Sequence, residues 1–323
     1  MSEAAVRSAT REVPEGTGAP VTRNAPEGAP VFVDHWSDEE GRQEADRIIT
    51  EAARRHLTRY NWGSVAITAF GLSGYALSSW GAVVGYWPLW VGYVINSYLG
   101  LLLFLPVHEA AHGNITFGRW RFVNRLIGWI NATFSLPLRG WGDMHRLHHA
   151  YPNNPELDAD KWLTSRNPFV FAFKCLTIVP GYFHFWMTRK AYNMLPHGRW
   201  ALAWSVVHYV APPVIGLTQI LMGWGNEIMA LWVFPLYTTT YLVAVIFAWT
   251  PHYPHDDEDR YAMGVIHMVH GPKRFLVRLF DVDQFHHSMH HIATRVPFYR
   301  LGKLAREVRP QLEKRGMRFI DIP

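Results

Sequence analysis

Three groups of histidines are spaced so that each group can place its imidazoles on one face of a helix. The first group has two histidines four residues apart, and the other two groups have three each at i, i+3 and i+4. Their members are His108 and His112, then His145, His148 and His149, then His287, His290 and His291. Neutral imidazole is the commonest metal ligand and suits iron, copper, zinc or nickel. Eight such ligands are too many for one ion, so the pattern predicts two metal ions, with coordination positions open for a small molecule such as dioxygen.

Alternatives to metal binding are weaker for these groups. A solvated histidine-rich loop does not need helical spacing three times. Cys175 is the only cysteine of the 323 residues, so neither a disulfide framework nor a thiolate metal site is available.

A ninth ligand is predicted at His252. The uncharged stretches 88–107 and 228–249 each hold about 20 residues, so similar helices would deliver His108 and His252 to one depth. Pro251 is expected to end the second helix there. His255 leads into the acidic run 256–259, which we expect to be solvated rather than packed against a metal. The role of His286 stays open.

The elements that must position these histidines are long and apolar. Four uncharged stretches of near-bilayer length, paired by short links, predict transmembrane helices over about 62–84, 88–107, 200–222 and 228–249. The short links contain no Lys or Arg, whereas the other flanks contain many, for example Arg54, Arg119, Arg199 and Lys273. This charge bias predicts an all-α, multi-pass integral membrane protein with both termini cytoplasmic. Its four spans would form two hairpins beneath a cytoplasmic helical cap that holds the dimetal site.

Composition divides the rest of the chain. Residues 1–36 are rich in Pro, Gly and Ala and are expected to be a disordered tail, whereas 37–61 predict an amphipathic helix. Residues 62–305 form the expected membrane domain, with interfacial helices between its hairpins, and 306–323 the expected C-terminal tail. The net charge of +5 has an explanation in membrane topology, and no nucleic-acid partner is expected.

The motifs HEAAH, HRLHH and HSMHH followed by VPFY resemble the three histidine boxes of the membrane fatty-acid desaturase superfamily, over roughly residues 60–305. That superfamily includes carotenoid ketolases and hydroxylases. The resemblance implies a non-haem centre of two iron ions, dioxygen as co-substrate, and oxidation of an unactivated C–H bond in a long lipid. It carries the eight box histidines over as iron ligands. Since no HPGG haem-binding stretch is present, electrons would come from a separate carrier such as ferredoxin, rubredoxin or cytochrome b5.

Two clues to the substrate disagree. FAWTPHYPHDDEDR is similar to the Pro-His-x-Pro element of carotenoid ketolases and hydroxylases, whereas HHIATRVPFYRL resembles the last box of acyl-lipid desaturases. The expected activity is desaturation or monooxygenase-type hydroxylation of a fatty acyl group held in a narrow apolar tunnel. Ketolation or hydroxylation of a carotenoid ring is the alternative, and a histidine-rich metal transporter or sensor is a remote one.

Overall fold

The uncharged stretches form the longest helices of the computed structural model, which describes residues 39–165, 167–188, 198–253, 255, 257–281 and 284–323. The tail expected over 1–36 lies outside these residues. The helices, in chain order, are α1 Glu39–His56, α2 Trp62–Val83, α3 Leu89–Ala111, α4 Phe122–Ala132, α5 Trp141–Ala150, α6 Pro168–Leu176, α7 Ile178–Thr188, α8 Gly198–Leu221, α9 Met229–His252, α10 Lys273–Asp281, α11 His287–Ile292, α12 Phe298–Glu307 and α13 Arg309–Lys314. The strands are β1 Val265–Val269 and β2 Arg318–Ile322.

Three helices, α3, α8 and α9, are long and apolar enough to cross a membrane by length and composition. Helix α2 forms where the first span was predicted, but its serines and glycines make it less apolar, and it does not meet the same criterion. Helices α6 and α7, which the sequence suggested as interfacial, meet at 81° and would add a fourth span if the bent pair crosses. The two predicted hairpins are therefore not confirmed as four spans.

Helix α3 lies at the centre of the main core. Leu101, Phe104 and Leu105 on α3 pack in one cluster with Phe247 on α9 and Met289 on α11. Each of these side chains is at most 4% exposed. Because α3 and α9 end close to these contacts, the core fixes the ends that carry His108 and His252.

Helix α9 is interrupted by two π-helical segments, Met229–Val233 and Ala244–Trp249. The Leu231 carbonyl in the first accepts hydrogen bonds from the Tyr75 hydroxyl at 2.7 Å and from Asn96 Nδ2 at 2.8 Å. These donors satisfy a polar backbone group inside an apolar bundle. The second segment borders the histidine site, a common position for π-helical turns.

The predicted amphipathic helix forms but ends at His56 rather than at residue 61. Its buried face includes Ala45, Ile49 and Ala52. The helix ends before residue 61 because the backbone and side chains that follow it make contacts with other segments. Tyr60 forms a β-bridge with Thr116, and Asn61 Oδ1 caps α2 by accepting from the Ser64 amide at 3.0 Å.

The segment expected to be a C-terminal tail is folded, which corrects that interpretation and the purely all-α prediction. Helix α13 follows α12, and β2 pairs in parallel with β1, with Val265 opposite Arg318 and Val269 opposite Ile322. Leu312 is fully buried in the core cluster that also contains Ile49 of α1. A short segment with few apolar residues is thus ordered by partners distant in sequence.

Candidate metal centre

The first histidine group lies at the end of α3. His108 is 3% exposed in the last turn of the helix, and His112 is the residue that follows it. The His108 ring lies 6.0 Å from that of Phe104 and 6.1 Å from that of Trp141, between ring centroids. Two aromatic rings thus pack against His108, the first donor.

The second group occupies α5, which starts at a tight backbone turn. Gly140 at its N-terminus has a φ of 87°, which favours glycine. Asp143 in the first turn is paired with Arg146 and is buried. With the helix thus fixed, His145, His148 and His149 share the face turned to α3 and α11.

The third group lies on the short helix α11, which is attached to the end of α9. Ser288 Oγ lies 3.0 Å from the carbonyl oxygens of both Pro251 and Val265. Pro251 directly precedes His252, so this contact brings the third group and His252 to the same place.

Five histidines from all three groups converge on one point. All their nearest donor nitrogens lie within 4.8 Å of one another. His149 Nε2 is 3.1 Å from His145 Nε2, and His290 Nε2 is 3.1 Å from His112 Nε2. The fifth member is His108, whose Nε2 is buried and has no hydrogen-bond partner among the described residues.

The other predicted ligands form a second group beside the first. His148 Nε2 lies 3.3 Å from the Nε2 atoms of both His252 and His291. His287 Nε2 is 3.3 Å from that of His291. The two groups touch where the rings of His149 and His291 stack with centroids 4.0 Å apart. The nine predicted ligands therefore lie close together, as a group of five, a group of three, and His287 beside His291 of the second group.

Burial keeps most of these imidazoles neutral, which is the form that binds metals. Burial, with the neighbouring histidines, lowers the pKa of His145, His149, His290 and His291 well below its usual range. It lowers the pKa of His112 and of His287 to about 3. A neutral imidazole has one unprotonated nitrogen that can bind a metal, so a cluster of neutral imidazoles with their Nε2 atoms facing one another is suited to metal coordination.

His148 differs because two carboxylates lie behind it. Its Nδ1 is 2.8 Å from Asp158 Oδ1 and 3.7 Å from Asp160 Oδ2. Burial lowers its pKa, but the charges of Asp158 and Asp160 outweigh this and raise the pKa to about 9. On the other side of the group, His287 Nδ1 lies 3.3 Å from Gln284 Oε1. Such outer contacts hold Nδ1 and leave Nε2 facing inward, as in carboxylate–histidine–metal arrangements.

Asp158 and Asp160 were not predicted as site residues, and their one signal in the sequence is their position shortly after the second box. Residues 257–259 of the acidic run are exposed, as predicted, whereas His255 just before them is only 4% exposed. A left-handed turn, with a φ of 66°, folds this residue back so that its amide donates to the His252 carbonyl at 2.7 Å. His255 and His286 are buried, yet neither belongs to the two donor groups.

An apolar cavity adjoins the centre. Its wall includes His145 of the first donor group and His287, together with Trp141 and Phe247. Phe104 packs edge-on against both aromatic rings, with centroids 4.8 and 4.5 Å away, and so holds them in place. Tyr182 is one of the few polar groups in this wall, and its hydroxyl donates to Asp160.

Two comparisons with known proteins bear on this arrangement of histidines. The chain is 26% identical over 220 residues to a beta-carotene ketolase from Paracoccus sp. (strain PC1), covering 64% of this chain and 75% of the relative. The family model described as "Fatty acid desaturase" matches residues 78–323, a range that contains all nine clustered histidines. The chain therefore belongs to the fatty acid desaturase family, within a superfamily that includes carotenoid ketolases, as its histidine motifs indicated.

Proposed function

We propose that this membrane oxidoreductase uses dioxygen to desaturate or hydroxylate a long fatty acyl chain beside two iron ions held by the nine clustered histidines. The observation that carries the proposal is that the apolar cavity reaches His145 of the first donor group and His287, which lies beside His291 of the second group. A hydrocarbon chain in this cavity would lie directly beside both groups. Bound iron would supply the activation of dioxygen, with electrons from a separate carrier protein.

The protein's own residues would then orient the chain and exclude water. The rings of Trp141 and Phe247 beside the histidines are fixed by Phe104, so one region of the substrate would be held against the centre. The mainly apolar lining favours a hydrocarbon chain.

A carotenoid ring is the second candidate substrate. The beta-carotene ketolase from Paracoccus sp. supports it, as does the Pro-His-x-Pro element that contains His252. We favour the acyl chain because the last histidine box resembles that of acyl-lipid desaturases. We also propose a membrane topology in which both termini and the nine clustered histidines face the cytoplasm, where a small redox carrier has access.

The test is expression in a host that contains both acyl lipids and carotenoids, followed by mass spectrometry of lipids and pigments. Loss of two hydrogens from an acyl chain indicates desaturation, and gain of one oxygen indicates hydroxylation. A carbonyl on a carotenoid would show that the substrate is a carotenoid and not an acyl chain. His290→Ala is the inactive control, and His270→Ala, at an exposed histidine paired with Asp321, is the matched active one. Stoichiometric zinc without any product would instead favour a metal-transport or sensing role.

A further inference from the structure

A second pocket opens on the surface beside the start of α8. Its wall is unusually rich in tryptophan and contains a pair of opposite charges. The lining residues are Trp129, Arg139, Asp143, Trp200, Ala201 and Trp204. Two of the tryptophans, Trp129 and Trp204, meet edge-on with centroids 5.4 Å apart, and Trp200 is 71% exposed. None of these six side chains belongs to the metal centre or lines the apolar cavity beside it.

The charges of this pocket favour an anion. Asp143 is already paired with Arg146, whose side chain is not part of the pocket wall. Arg139 is 3.6 Å from the same carboxylate oxygen, longer than a hydrogen bond, and its side chain is 41% exposed. Two guanidinium groups thus adjoin one carboxylate, and the planar guanidinium of Arg139, the more loosely paired of the two, can also donate to a phosphate through several N–H groups. The N-terminus of α5 immediately after Arg139 adds a partial positive charge.

The position of the pocket is that of a lipid headgroup. Trp200 and Trp204 lie in the first two turns of α8, a helix of spanning length whose apolar window is only 28% buried within the protein. Tryptophans are enriched where such helices meet the membrane surface. Asp143 and the metal-site residue His145 belong to the same helix, so the pocket lies at the same end of the bundle as the histidines.

Helices α5 and α8 each contribute residues both to this pocket and to the apolar cavity beside the metal centre. Asp143 lines the pocket, and the next residue, Met144, lines the cavity. On α8, Ala201 lines the pocket, and Ser205, one turn later, lines the cavity. A lipid whose headgroup occupied the pocket would therefore have its acyl chains beside the cavity.

We propose that this surface pocket binds the phosphate of a membrane phospholipid, and that this lipid carries the acyl chain that the enzyme oxidises. The second part rests on the proposed function. A phospholipid fits better than a free fatty acid because the three tryptophans extend the pocket beyond Arg139, the one group that a carboxylate would contact.

The binding test uses full-length protein in detergent and native mass spectrometry with phosphatidylglycerol, against diacylglycerol with the same acyl chains. We expect Arg139→Gln to weaken phosphatidylglycerol binding by about 10-fold, in line with the loss of a charged hydrogen bond, and to leave diacylglycerol binding unchanged. Arg125→Gln is the matched control, because Arg125 is exposed on the same helix as Trp129 but does not line the pocket. Equal binding of phosphatidylglycerol by the two variants would overturn the site.

The substrate part is tested with the same variants by following oxidation of each lipid. We expect Arg139→Gln to raise the KM for phosphatidylglycerol several-fold and to leave turnover of a fatty acid methyl ester unchanged. Weakened binding with unchanged phospholipid KM would refute the substrate part. If wild-type protein oxidised none of these lipids while binding still depended on Arg139, the proposed function would fail and the headgroup site would stand.

Discussion

His148 Nδ1 lies 2.8 Å from Asp158 Oδ1, and both side chains are at most 2% exposed. The carboxylate is held from the other side as well, since it accepts from the amides of Asn153 at 2.6 Å and of Asp160 at 2.8 Å. A buried negative charge is thus fixed behind one donor of the second histidine group, on the side away from His252 and His291.

We expect Asp158→Asn to lower the affinity of the centre for iron by about 10- to 100-fold, the usual effect of removing an outer carboxylate. Chelator competition with metal analysis measures it independently of turnover. Asp160→Asn should have a smaller effect, because Asp160 lies 3.7 Å from the same nitrogen. Equal iron retention by wild type and Asp158→Asn would contradict a positioning role.

The ninth ligand is tested by comparing two neighbouring histidines. Wild-type protein should contain close to two irons per chain, and His252→Ala should lose iron and activity, because its Nε2 faces His148 at 3.3 Å. His255→Ala should keep its iron, since His255 lies outside both donor groups. If His255→Ala loses iron and His252→Ala does not, the assignment is wrong.

Gly140 should not tolerate a side chain. A Cβ at this residue would lie 1.9 Å from Ser205 Oγ and would sit on a backbone with a φ of 87°. We expect Gly140→Ala to destabilise the protein by about 1–3 kcal/mol, seen as a lower melting temperature in detergent. Adding Ser205→Ala should restore part of the loss, because it removes the contact but not the backbone strain. A double variant no better than the single one would show that strain alone is responsible.

A further prediction concerns the packed C-terminal segment, residues 306–323. Leu312 is fully buried, so Leu312→Ala should cost about 2–5 kcal/mol of stability, whereas Glu313→Ala at the exposed neighbour should change it by roughly 0.5 kcal/mol or less. Thermal unfolding monitored by circular dichroism compares the two variants. Equal melting temperatures would mean that residues 306–323 do act as a tail.

The donor groups could be predicted from the sequence because helical spacing is local. A pattern of i, i+3 and i+4 fixes which imidazoles share a face, and the ends of apolar stretches fix their depth. The contacts of Asp158 with His148 could not be predicted in this way, since they depend on how the loop after α5 folds back. The same holds for His255, where a left-handed turn overrides the polar character of the acidic run.

Longer-range partners also explain the errors in the fold. Residues 306–323 contain few apolar side chains, and their order depends on α1 and β1, which are distant in sequence. Helix α2 shows a different limit of the sequence. The uncharged stretch predicted where this helix lies, but lack of charge alone did not establish that the helix spans the membrane.

The parallel pairing of β1 with β2 has a consequence for biosynthesis. Strand β1 lies between His252 and the third histidine group, and Ser288 of that group contacts the β1 residue Val265. Strand β2 is synthesised after every histidine of the centre, because chains are made from the N-terminus. A nascent chain therefore contains all nine histidines before β2 can pair with β1. Stable metal binding is then expected to require this pairing, and a fusion that strains β2 should impair metal binding without changing a ligand.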